Sequence, residues 1–157
     1  MSIERVKEYF RRCGMAERVL ELPVSSATVE LAAAALGCEG CRIAKTLSFL
    51  VDGAPVLVVA AGDARVDNGK FKAFFHTKAK MLSPEEASAL VGHAVGGVCP
   101  FAVNEGVSTY LDVSLKRFDT VFPACGSSNS AIELTLLELE KHSGSKGWID
   151  VCKGWQA

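Results

Sequence analysis

Residues 42–61 hold two apolar stretches with the alternation of strands, one on either side of Asp52-Gly53, and a chain containing them has to build a sheet. In the first, Ile43, Leu47, Phe49 and Val51 fall on one face, and Ala44, Thr46, Ser48 and Leu50 on the other. The second runs from Pro55 to Ala61, and Ala54-Pro55 is expected to lengthen the turn beyond two residues. Lys45 shares the face of the large apolar side chains. An ammonium buried there without a partner is costly, so it has two readings. It is a strand-end lysine whose head reaches water, or a cleft lysine that meets an anion or polar ligand.

The remaining elements follow from local signals. Apolar residues at Ile3, Val6 and Phe10 give an amphipathic helix over Ser2–Cys13, and Arg18–Pro23 reads as a short strand. Thr28 caps a helix over Val29–Leu36, Val66–His76 forms another, and Ser83-Pro84-Glu85-Glu86 opens a third that stops at Gly92. Thr109–Val113 and Thr120–Ala124 are strands; Thr135 with Glu138 is a capping box for a helix ending at His142, and Trp148–Cys152 is a last strand. Short strands alternating with helices point to a mixed α/β architecture of the α+β type. The expected fold is one domain over residues 1–157, a curved, barrel-like, mixed but largely antiparallel sheet flanked by helices.

Composition removes several function classes. A formal net charge of -1 gives no broadly basic surface for DNA, so any nucleic-acid contact should be local. The best candidates are Lys70, Lys72, His76, Lys78 and Lys80, which also read as a solvated face. The start of the chain lacks an apolar signal core, and the longest uncharged run, residues 87–104, is broken by glycines and Pro100. A cytoplasmic protein without membrane contact is expected. Cys38 and Cys41 form a lone CxxC, and the other four cysteines are scattered, so neither a metal site nor a disulfide framework is expected.

Three features carry chemistry: Lys45, the bend from Gly92 to Phe101, and the small polar loop Gly126-Ser127-Ser128-Asn129-Ser130. Backbone N–H groups of the bend could hold a carbonyl or oxyanion, although a purely structural bend fits equally. The polar loop suits a ribose or phosphate, or a solvent turn. His93 and Cys99 could form a thiol hydrolase pair, with no acid evident to orient the imidazole. No P-loop or dinucleotide fingerprint is present, and no cofactor is expected. These residues by themselves describe a cleft for a small polar or anionic group.

The segments Ile43-Ala44-Lys45-Thr46-Leu47, Gly96-Gly97-Val98-Cys99-Pro100 and Phe122 to Leu134, in that order, resemble the YbaK/EbsC family of free-standing aminoacyl-tRNA deacylases. That family is similar to the editing insertion domain of prolyl-tRNA synthetase. The resemblance covers essentially the whole chain. It implies a catalytic role for Lys45, with Thr46 beside it in the substrate site. Gly96, Gly97 and Pro100 would face the aminoacyl ester, and Gly126, Ser127, Asn129 and Ser130 would border the terminal adenosine. The implied reaction is removal of a small amino acid, cysteine or alanine, from a mischarged tRNA such as tRNA-Pro. The implied partners are the tRNA acceptor end and prolyl-tRNA synthetase. A non-catalytic module binding the tRNA 3′ end or the synthetase is the alternative. Some relatives have Gly-Gly where this chain has Cys125-Gly126, a departure that bears on amino-acid specificity.

Overall fold

The computed structural model describes residues 2–94 and 96–155; Val95, within the glycine-rich bend, lies outside them. Helix α1 (Ser2–Arg12) precedes strand β1 (Val19–Glu21), α2 (Val29–Leu36), and the hairpin β2 (Ile43–Val51) and β3 (Ala54–Ala61). After β4 (Arg65–Val66) come α3 (Asn68–Phe75) and α4 (Pro84–Glu86), which continues as a wider π turn through Val91. The second half holds β5 (Ser108–Asp112), β6 (Thr120–Pro123), β7 (Ser130–Ile132), β8 (Leu134–Thr135), α5 (Leu136–Ser143), β9 (Trp148–Ile149) and β10 (Cys152–Lys153).

The main sheet has the order β8-β6-β2-β3-β5-β9 and curls into a half-barrel flanked by helices. It is mixed: β2/β3 and β6/β8 are antiparallel, whereas β2/β6, β3/β5 and β5/β9 are parallel. The separate β1/β7 and β4/β10 pairs are also antiparallel, so antiparallel ladders hold most of the paired residues. β3 is the central element. Leu57 to Ala61 are fully buried, as expected of a strand covered on both sides. Val6 and Phe10 of α1 and Leu139 of α5 join the main core, and Leu57, Leu82, Ala87 and Val91 make a smaller cluster.

Two expectations need correction. The hairpin loop is two residues long, because Val51 pairs with Ala54 and only Asp52 (φ 51°) and Gly53 (φ 80°) lie between. Both take positive φ, as a type I′ turn demands. Pro55 is tolerated because it faces Leu50 at a position that exchanges no hydrogen bonds across the hairpin. The expected last strand is also two strands. The chain breaks at Asp150-Val151, where the Val151 N–H donates to the buried Asp112 Oδ1 (3.0 Å) and the Val151 carbonyl accepts from Asp67 N–H (2.8 Å). β9 therefore stays beside β5 while β10 crosses to β4.

The capping signals form as expected. Thr135 Oγ1 accepts from Glu138 N–H (3.2 Å), and Glu138 Oε1 accepts from Thr135 N–H (2.9 Å). Thr135→Ala is expected to cost about 1 kcal/mol of stability, read as a lower urea midpoint with an unchanged denaturant slope. Among the described residues no helix is long and apolar enough to cross a membrane.

Candidate active site

The strand β2 is paired on both sides for only part of its length. Its outer edge meets β6 at Ile43-Ala44 and is joined again at Ser48-Leu50, where Leu82 N–H donates to Ser48 O (3.1 Å) and Leu50 N–H to Lys80 O (2.8 Å). Between these points the edge opens on a cavity of about 360 Å³. Six consecutive residues, Ile43 to Ser48, line it. Side chains alternate between sheet faces, so an unbroken run of lining residues means that the cavity meets the strand edge-on. Phe122 and Ala124 close one end, and Met81 and Leu82 the other. Thr28, Val29 and Ala32 from the start of α2, with Gly96, Val98, Ser130 and Ala131, complete the wall.

Lys45 is half-buried. Its Nζ donates to the carbonyls of Gly62 (3.4 Å) and Ala64, at the turn between β3 and β4. Burial holds the ammonium below the ordinary lysine range, against smaller upward pulls from Cys152 and Asp63. Lys45 thus lines the cavity, and its head is held by backbone carbonyls. The acceptors come from backbone, and an ammonium has three donors, so two carbonyls aim the head and leave it capacity for a third partner. The turn reaches this position through Gly62. A Cβ there would stand 2.1 Å from Gly40 O and 2.8 Å from Val29 Cγ1, so no side chain fits.

Thr46 points to the opposite face, and its Oγ1 is buried without a hydrogen-bond partner. An orphaned hydroxyl on a cavity wall is costly in an empty site and suited to a polar ligand.

Among the other residues singled out in the sequence, Gly96 and Ser130 line the cavity. Gly97, Pro100, Gly126, Ser127 and Asn129 are not among its lining residues; Gly97 and the polar loop pack against each other beside Gly96 and Ser130. Gly97 lies flat on the polar loop, where a Cβ would be 2.7 Å from both Gly126 C and Ser127 N. The Gly126 carbonyl accepts from the Ser2 hydroxyl of α1. The Ser127 hydroxyl donates to Asn129 Oδ1 (2.9 Å) and lies 2.8 Å from the Ser130 hydroxyl. Asn129 Nδ2 donates to Leu22 O (3.1 Å), and Ser26 N–H to Ser128 O (2.6 Å). The loop thus ties the segment before α2 to the glycine-rich bend.

His93 and Cys99 do meet, with Sγ 3.5 Å from Nε2, but both are buried and neither lines the cavity. Nε2 also lies 2.8 Å from the Phe101 carbonyl, which can only accept, so Nε2 carries the proton and cannot take one from the thiol. Burial pushes Cys99 up to about 12. A nucleophilic thiol needs the reverse of both conditions. The pair is a core contact. Among the basic residues, Lys70 is held by Asp150 (3.0 Å) and the Cys152 carbonyl, whereas Lys72, His76, Lys78 and Lys80 are exposed on the segment that leads into Met81. The cavity residues that the sequence did not single out are Ser48, Met81, Leu82 and the 26–32 segment. Among these only Thr28 gave a signal, as a helix cap.

Comparison with known proteins identifies the family. The uncharacterized protein YwhH of Bacillus subtilis (strain 168) is 55% identical over 157 residues, covering 99% of this chain and 100% of its own. A proline--tRNA ligase of Nitratidesulfovibrio vulgaris (strain Hildenborough) is 30% identical over 103 residues, which are 64% of this chain and 18% of the ligase. The chain therefore spans about a fifth of that relative. A solved structure described as "a putative trans-editing enzyme for prolyl tRNA synthetase" superposes with a TM-score of 0.87 at 32% identity, covering 98% of both chains. Residues 24–142, from the segment before α2 to the end of α5, match the aminoacyl-tRNA editing domain. The chain belongs to the aminoacyl-tRNA editing domain family.

Proposed function

We propose that this protein hydrolyses mischarged aminoacyl-tRNA, removing a small amino acid such as cysteine or alanine from tRNA-Pro and acting in trans to prolyl-tRNA synthetase. The observation that carries this reading is the cavity along the open edge of β2, with the aimed ammonium of Lys45 at one side and the unpartnered hydroxyl of Thr46 at the other. An aminoacyl ester is already activated, so orienting it against water supplies much of the barrier reduction and no protein nucleophile is required. The oxygen of water bonds to the ester carbonyl carbon, the bond from that carbon to the ribose oxygen breaks, and the proton from water ends on that ribose oxygen. Lys45 holds the terminal ribose or the developing negative charge. The exposed Lys72, Lys78 and Lys80 meet the phosphate backbone of the acceptor end. The apolar lining at Ala27, Ala32 and Ala44 suits an uncharged side chain, and such a surface discriminates each methylene by only about 1–3 kcal/mol.

The test is deacylation of Cys-, Ala- and Ser-tRNA, with tRNA-Pro among the carriers, by wild type, Lys45→Ala and Cys99→Ser. Turnover of one member, lost with Lys45→Ala and kept with Cys99→Ser, is the expected pattern. Activity that follows Cys99 instead would overturn the role of Lys45. Tight binding of tRNA with no turnover of any member would turn the reading to a non-catalytic module.

A further inference from the structure

The open edge of β2 has a polarity that selects its ligand. In the two-residue hairpin Val51 and Ala54 close the ladder as a hydrogen-bonded pair, so Lys45, Leu47, Phe49 and Val51 turn their backbone groups toward β3. Ala44, Thr46, Ser48 and Leu50 turn theirs outward. The bonds from Leu50 N–H to Lys80 O and from Leu82 N–H to Ser48 O agree with this alternation. Residues 80–82 thus run antiparallel along β2, pairing at Phe49–Met81, before the chain leaves at the Ser83 cap. The next outward residue along β2 is Thr46. By the hairpin register its N–H and C=O point away from β3, neither bonds to a loop among the described residues, and Thr46 lines the cavity.

We propose that the aminoacyl group docks on Thr46 as a strand of one residue, its α-ammonium donating to the Thr46 carbonyl and its ester carbonyl accepting from the Thr46 N–H. This rests on the deacylase reading and names how that site recognises its substrate. Antiparallel hydrogen-bonded pairing uses the N–H and C=O of Thr46 alone, whereas parallel pairing of one amino acid would divide its two bonds between Thr46 and either Ala44 or Ser48. The Thr46 N–H then polarises the ester carbonyl that water attacks. In such a pair the two side chains share a face of the sheet. An L-amino acid therefore sets its side chain beside the unpartnered Thr46 Oγ1, and a D-amino acid sets it on the Lys45 face. The site reads the amino group and the handedness of its substrate through backbone.

The experiment uses amide analogues that cannot be hydrolysed: 3′-deoxyadenosine carrying a 3′-L-alanylamino, 3′-D-alanylamino or 3′-propionylamino group. Binding to the ¹⁵N-labelled protein is followed at the Thr46 and Ser48 amide resonances and by hydrogen exchange, alongside deacylation by the same preparation. The L-alanyl analogue is expected to shift the Thr46 amide and slow its exchange at least about tenfold. The propionyl analogue, which lacks the ammonium, is expected to bind roughly tenfold to a hundredfold more weakly, the loss for a hydrogen bond to a charged group. The D-alanyl analogue, whose methyl turns to the Lys45 face, is expected to bind more weakly than the L-alanyl one. Equal affinity for the L-alanyl and propionyl analogues, or a Thr46 amide unmoved at saturation, would overturn the pairing while deacylation stands. Deacylation without binding of any analogue overturns the pairing as well. Absence of both binding and deacylation overturns the pairing and the function together.

Discussion

Lys45→Ala is expected to lower kcat/KM on the cognate mischarged tRNA by about a hundredfold to a thousandfold, the scale for losing one aimed charged donor. The loss should fall mainly on kcat if the ammonium acts on charge that develops during attack, and on KM if it only holds the ribose. Folding should survive. The substitution leaves the Gly62 and Ala64 carbonyls without their donor, a cost of about 1–3 kcal/mol, but it also removes a cation that burial disfavours. The two effects oppose each other, so thermal unfolding separates lost chemistry from lost structure.

The same residue fixes the direction of the pH dependence. Burial lowers the pKa of Lys45 in the folded chain below its value in the unfolded chain. Between those two values the unfolded chain binds more protons, so this group's contribution to stability rises as pH rises through the folded pKa toward the ordinary lysine value. Activity runs the other way. The enzyme-dependent rate, after subtraction of the alkaline background hydrolysis of the ester, is expected to fall as pH rises through the lowered pKa. Lys45→Ala should remove that fall. A wild-type rate that keeps rising across the range would mean that the ammonium is not the reacting form.

The contrast between Lys45 and Gly97 explains how much of the site was legible in the sequence. Lys45 stood out because an ammonium on a strand face with Leu47 and Phe49 breaks a period of two, and that signal is local. Its acceptors are carbonyls seventeen and nineteen residues away, and backbone acceptors leave no mark in residue identity. The hairpin, the caps at Thr28, Ser83 and Thr135, and the mixed sheet were legible for the same local reason. Trp148–Cys152 was not, because the apolar run is continuous and the break depends on the buried Asp112 taking the Val151 N–H. His93 and Cys99 were close in sequence, but only burial and the Phe101 carbonyl decide that they form a core contact. The resemblance grouped Gly97, Asn129 and Ser127 with the substrate. None of them is among the residues lining the cavity, and all three pack against segments that do, an arrangement suited to positioning Gly96, Ser130 and the segment before α2.

Gly97→Ala tests that positioning role, and its expected effect is large in two measurements at once. The added methyl would meet Gly126 C and Ser127 N at 2.7 Å and Ser127 Cα at 2.8 Å, all of them backbone atoms that cannot rotate away. The bend and the polar loop must then separate. Overpacking of this kind costs about 1–3 kcal/mol, which lowers Tm by roughly 2–12 °C in a chain of this size. Both loops supply the cavity wall, through Gly96 and Ser130, so the separation also moves that wall away from the edge of β2. A displacement of about 1 Å in a positioning element is enough to lose roughly a hundredfold in rate. The expected result is therefore a loss of turnover that persists well below the lowered Tm, with the Lys45 pH profile unchanged in shape. A variant that loses stability yet keeps full turnover when folded would show that the two loops support the fold without setting the site. A variant with both properties intact would mean that the loops are not pressed together at Gly97.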